Sequence, residues 1–237
     1  MALEELAGKV RPVVLAGERL LPVLDPLAPL LPDGALRRGS VVTIAGLRGP
    51  NAANGSTSLA LALLAGASAA GSWCAAVGLS SLGVVAAAEL GVALDRFPLV
   101  AAPPNGEEWA WATAALLDAV DVVVARPPGR IRDASVRRLA ARARERSAVL
   151  LVASAGGVPE WQGADVRLAV TAAEWEGVGQ GHGRLRARRV EVVATGRAAA
   201  ARERRVTLWL PGPDGGVACA GGEQLVGPEV TVVAGAG

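Results

Sequence analysis

The chain of 237 residues is short of the side chains that most site chemistry uses. It has no tyrosine, one histidine, one phenylalanine, one methionine and two cysteines, and Lys9 is its single lysine. His182, Cys74 and Cys219 are too few donors for a zinc-type centre, so no metal site is expected. Two cysteines cannot build a disulfide framework, which fits a reduced cytosol. A run of about 18 apolar residues free of turn formers is also missing, so no transmembrane helix is expected. The N-terminus carries Glu4 and Glu5 where a secretory leader would be basic and then apolar. These absences predict a cytoplasmic protein that does not enter a membrane.

What is present is a core. Hydrophobic residues make up 51% and charged residues 19%, which excludes a disordered chain and suffices for one large α/β domain with extensions. The formal net charge is +2, but it is unevenly spread: Arg126 to Arg205 holds 17 basic and 8 acidic residues. That excess fits either solvated arginine-rich faces or a surface for nucleic acid or an acidic partner.

Strand and helix patterns alternate through the first two thirds of the chain. "SVVTIAG", "WCAAVGL", "FPLVAAP", "DVVVAR" and "SAVLLVAS" are short apolar runs of the kind buried in parallel sheets. Between them "STSLALALLAGASAAG", "VVAAAELGVAL", "GEEWAWATAALLDAV" and "IRDASVRRLAARARER" read as helices, the third with acids in its first turn. The rhythm predicts right-handed βαβ crossovers and a mostly parallel sheet with helices on both faces. After Gly163 the segments "ADVRLAVTAAEWEG", "GRLRARRVEVVATG" and "RVTLWLPG" lack intervening helices, and the Gly-rich "GVGQGHGR" reads as a hairpin connection. They predict a C-terminal antiparallel extension. The proline-rich "LLPVLDPLAPLLPDG" reads as an extended connector.

The first strand runs into "GLRGPNAANGSTS", a loop shaped like a phosphate-binding turn without its lysine. In the pattern G-x-x-x-x-G-K-[ST], backbone N–H groups wrap the phosphates, the lysine reaches them and the hydroxyl holds magnesium. Gly55 and Thr57 fit the last glycine and the hydroxyl, Gly49 serves as the first glycine if the loop is one residue longer, and Ser56 stands in the lysine slot. The loop is therefore a degenerate nucleotide site, or simply a helix N-cap region that retains some affinity for an anion. Ser56 or Thr57 as a nucleophile would depend on His182, which lies in the predicted hairpin turn.

On "IRDASVRRLAARARER", Val136, Leu139 and Ala143 share an inner face, while Arg138, Arg142 and Arg146 run along an outer one with Arg137 beside them. The outer face is either a solubilising surface or one that contacts phosphates or an acidic partner. Trp109 and Trp111 are two apart on a helix, so one of them is expected outside the core.

From about residue 33 to 212 the order of segments resembles the core of RecA-like proteins. "GALRRGSVVTIAGL" is similar to the approach to that family's phosphate loop, and "ADVRLAV" and "RRVEVVATG" to its late strands. Within the superfamily the chain resembles the ImuA group, RecA-like accessory proteins of damage-inducible mutagenesis cassettes. "LPDGALRRGSVVTIAGL" and "SLALALLAGASAAGSW" carry that likeness. The resemblance divides the chain into an N-terminal helix and connector (1–32), a RecA-like core (33–212) and a C-terminal tail (213–237).

RecA-type hydrolysis needs a carboxylate after the second strand and an acid closing the magnesium-side strand. Here the first position reads "VGLSSLG" and the second Ala125–Arg126, with Asp121 at the wrong end of the strand. With the lysine also gone, a pseudo-ATPase without a cofactor is expected. The resemblance implies a translesion-synthesis scaffold for an ImuB-like inactive Y-family polymerase homologue, an error-prone C-family DNA polymerase and RecA itself. The loops "PPGRI" and "ASAGGVPEWQG" are too short for filament-style DNA binding, so DNA contact is expected to be weak and non-specific. Leu3, Leu6 and Val10, together with "EQLVGPEVTVVAG", are the candidate docking elements at the two ends. A divergent P-loop ATPase using Arg48, and a cell-division inhibitor resembling SulA, are the alternatives.

Overall fold

The computed structural model describes residues 19–47, 55–101, 103–154, 161–178 and 183–221. Its centre is a nine-stranded sheet built from β3 (Val41–Ala45), β4 (Cys74–Val77), β5 (Leu99–Val100), β6 (Val122–Ala125), β7 (Val149–Ser154), β8 (Val166–Val178), β9 (Gly183–Gly196), β10 (Arg204–Trp209) and β11 (Ala218–Cys219). Across the sheet the order is β11, β10, β9, β8, β3, β7, β6, β4, β5. From β8 to β5 all neighbours are parallel, and from β8 to β11 they are antiparallel. The expected α/β architecture, a mostly parallel sheet with interleaved helices and an antiparallel C-terminal extension, is the observed one.

The helices α1 (Ser56–Ala69), α2 (Val84–Glu89), α3 (Gly106–Ala119) and α4 (Asp133–Arg146) follow β3, β4, β5 and β6 in turn. Each central strand feeds two layers, because successive side chains point to opposite faces. Val122 and Val124 of β6 pack in the layer of α1, and Val123 and Ala125 in the layer of α3 and α4. All four are fully buried. This double burial is why the strands read as continuous apolar runs rather than alternating ones. Trp109 is fully buried and meets Trp161 edge-on at 6.2 Å, whereas Trp111 is 76% exposed, as the spacing requires.

The proline-rich stretch differs from its expected extended form. Residues Asp25–Leu30 make a 3-10 helix with Pro26 in its first turn, where a missing N–H costs little. Its Leu27 and Leu30 are fully buried in the α1 layer. It is clasped by a two-stranded sheet, β1 (Leu20–Leu21) against β2 (Leu36–Arg37). Apolar leucines between the prolines turn a connector into a strap, so part of the segment before residue 33 packs into the core. At the other end, β11 extends the sheet beyond residue 212.

Candidate functional site

The loop after β3 reaches α1 through Gly55, whose φ of 82° is the left-handed conformation that glycine adopts without a Cβ penalty. The N-cap of α1 is Gly55, which has no side chain to accept from the helix, whereas the Asn105 side chain accepts from two N–H groups at the start of α3. Ser56, in the lysine slot, is fully buried, and Thr57 is half-buried. Gly49 lies outside the described residues, as do Arg48 and His182.

Arg126 follows directly on β6 and points to the face that carries α1. Its Nη2 donates to the Thr57 hydroxyl at 2.5 Å. A guanidinium thus engages the hydroxyl that a magnesium-dependent loop would turn to its metal. Burial lowers the Arg126 pKa, and no neighbouring carboxylate opposes that shift. Its Nε is buried without a hydrogen-bond partner.

A second arginine arrives from the antiparallel extension. Arg188 of β9 is 4% exposed, and an ideal Cβ built on Gly55 would lie 3.1 Å from its Nη1 and 3.3 Å from its Nη2. Trp175, its register partner on β8, places its ring 5.5 Å from the Arg188 Cζ, a cation–π contact. Burial lowers the Arg188 pKa as well, and its Nε is likewise unpartnered. Sequence reading missed Arg188. Its only signal was parity on the strand: Arg188 shares a face with Val190 and Val192, which pack in the α1 layer.

Ser80 and Ser81 are exposed after β4. Asp121 stands at the start of β6, where it accepts from Arg38 Nη1 at 2.7 Å and from the Trp73 N–H at 3.1 Å. It is a structural clamp at the opposite end of the sheet from Thr57. A cavity of about 310 Å³ also lies at that end, lined in part by Arg37, Ser40, Asp165 and Arg197. Several of its polar groups are engaged: Asp165 accepts from the Val41 N–H, Arg197 donates to the Ala164 carbonyl, and Arg37 pairs with Asp33. Among the described residues no group of three metal-ligating side chains gathers, and no helix is long and apolar enough to cross a membrane.

The arginine face of α4 is divided. Arg142 forks onto the Asp118 carboxylate of α3, Nε at 2.6 Å and Nη2 at 2.5 Å, and Arg146 adds a third contact at 3.0 Å. Arg137 and Arg138 are exposed. Val136, Leu139 and Ala143 are buried against the sheet, as their spacing predicts. The docking candidates Leu3, Leu6 and Val10, and the segment from Glu223 onward, lie outside the described residues.

Comparison with known proteins matches residues 29–163, more than half of the chain, to the family described as the MT3502 N-terminal domain. A Mycobacterium tuberculosis protein, Rv3395c, is 32% identical over 176 residues, which cover 73% of this chain and 79% of that protein. The matched region runs from the strap through the loop, α1 and Arg126 to the strand before the antiparallel extension, and on this match the chain belongs to the MT3502 N-terminal domain family.

Proposed function

We propose that this protein is a non-catalytic, RecA-like scaffold of the ImuA type that serves translesion synthesis and induced mutagenesis in the DNA damage response. The observation that carries the reading is the Arg126–Thr57 hydrogen bond. A fixed positive charge sits against the hydroxyl needed for magnesium, at the strand end where hydrolysis needs an acid. A divalent cation brought there meets repulsion in place of a ligand, and the transition-state charge of phosphoryl transfer goes unneutralised. Loss of hydrolysis beside an intact sheet is what selection on a scaffold leaves behind.

The proposed partners are an ImuB-like polymerase homologue, RecA and an error-prone C-family polymerase. Direct DNA contact, through the exposed Arg137 and Arg138 of α4, would be weak, sequence-independent and strongly salt-dependent. With no nucleotide cycle to sense, assembly is constitutive.

Two measurements test this. Turnover of ATP with magnesium should stay at background, and a pull-down by the full chain should retain the ImuB-like partner equally with and without ATP. Hydrolysis that disappears in Thr57→Ala would establish the divergent-ATPase alternative instead. Failure to retain any of the three polymerase-associated partners would remove the scaffold reading.

A further inference from the structure

We infer that the first turn of α1, with the guanidinium groups of Arg126 and Arg188, forms a metal-independent binding site for a phosphate-type oxyanion. The scaffold reading requires no ligand, so this inference goes beyond it and stands or falls separately.

Three positive elements meet at the start of α1, and among the described residues no carboxylate pairs with them. Arg188 is buried with its two terminal nitrogens against Gly55, and no ion pair or hydrogen bond to a carboxylate holds it among the described residues. Its aromatic neighbour Trp175 orients the guanidinium plane but supplies no counter-charge. Arg126 reaches the same turn from the other side of β3, and the one hydrogen bond of its guanidinium among the described residues goes to a neutral hydroxyl. Both guanidiniums keep their charge despite burial, because arginine does not deprotonate in proteins. A buried cation without a counter-ion is costly, and two beside one helix N-terminus compound that cost. An oxyanion answers all three at once: it receives the planar forks of the arginines at the positive end of α1.

This differs in mechanism from a magnesium-dependent phosphate loop. There the hydroxyl at the Thr57 position holds the metal; here it holds Arg126. The arginines supply the charge that lysine and metal would otherwise bring. The recognised chemistry is a phosphate group, from inorganic phosphate or from a nucleotide.

The test is titration calorimetry on the full chain in EDTA, at ionic strength held constant with chloride, using inorganic phosphate and ADP as separate probes. Saturable binding of at least one is expected, unchanged when magnesium replaces EDTA. Preference between the two identifies the source of the phosphate group. Arg188→Met should weaken binding by about tenfold or more, the loss of one charge-assisted fork. Should that buried substitution unfold the protein, Arg126→Met, at a half-buried position, carries the same expectation. Thr57→Ala should leave affinity within about twofold, since its hydroxyl positions Arg126 but carries no charge. The inference is overturned if neither probe binds in EDTA, if binding requires magnesium and vanishes in Thr57→Ala, or if a folded Arg126→Met variant binds like the parent.

Discussion

Gly66 sits inside α1, where alanine would ordinarily stabilise a helix by about 1 kcal/mol. Here the sign should reverse. A Cβ on Gly66 would lie 2.6 Å from the Val23 carbonyl carbon and 2.9 Å from the Pro22 oxygen, both backbone atoms of the strap. The strap cannot retreat without withdrawing Leu27 and Leu30 from the core. Gly66→Ala should therefore destabilise by roughly 2 kcal/mol, an overpacking cost, read as a lower urea midpoint. A raised midpoint would show that the strap does not press on α1. The two cysteines are separable by the same kind of reading. Burial pushes the Cys74 thiol up to about 12, whereas Cys219 is exposed. Since the thiolate is the nucleophile, a thiol reagent at pH 8 should label Cys219 quickly and Cys74 only after denaturation. Fast labelling of both would contradict the placement of Cys74. At this scale Gly55, Ser56 and Thr57 were legible in sequence because they sit in one contiguous motif. Arg188 was not, because a β-strand register more than 130 residues away in sequence brings it to Gly55.

Between elements, the contact of α3 with α4 turns on Asp118. The hydrogen bond from Arg142 holds its carboxyl below the usual 3.8 against the opposing desolvation, with the charges of Arg142 and Arg146 and the hydrogen bond from Arg146 adding to the lowering. A depressed acid favours the folded state above its unfolded pKa, and the contribution fades as pH falls through the folded value. Asp118→Asn should thus be less stable than the parent at pH 7, by up to about 1 kcal/mol for so accessible a pair. The gap should begin to narrow below about pH 4 and close as pH falls through the depressed folded value, where the parent carboxyl protonates too. A gap that persists undiminished at pH 2.5 would mean the charge is irrelevant to it. Helical spacing in the sequence placed Arg138, Arg142 and Arg146 on one face correctly. It did not show that Asp118 consumes two of the surrounding arginines, because packing between helices, not periodicity within one, sets that meeting.

Over the whole molecule, the sheet separates two apolar layers that share every central strand. Alternation makes the layers mechanically inseparable: Val124 packs with α1, and Val123, its covalent neighbour, with α3 and α4. The sequence displayed this as unbroken apolar runs, which is why the parallel core was legible; the strap was not, since its prolines masked leucines that only a finished core can bury. Shared strands predict one cooperative transition, and the tryptophans allow a direct check. Trp109 and Trp161 lie in the α3–α4 layer and are buried, while Trp73, Trp111 and Trp175 are 48%, 76% and 40% exposed. Trp209 on β10 is half-buried outside that cluster, so the experiment uses a Trp209→Phe background, in which buried-tryptophan fluorescence reports one layer and far-ultraviolet circular dichroism reports all the helices. Val124→Ala removes two methyl groups from the opposite layer and should cost roughly 1–3 kcal/mol. If the layers unfold together, it should lower the urea midpoint by the same amount in both signals, although it touches neither tryptophan's cluster. A fluorescence midpoint that stays at the parent value while the dichroism midpoint falls would show that the α3–α4 layer holds without its counterpart. A coincident shift is the expected result, because β6 cannot lose its register on one face and keep it on the other.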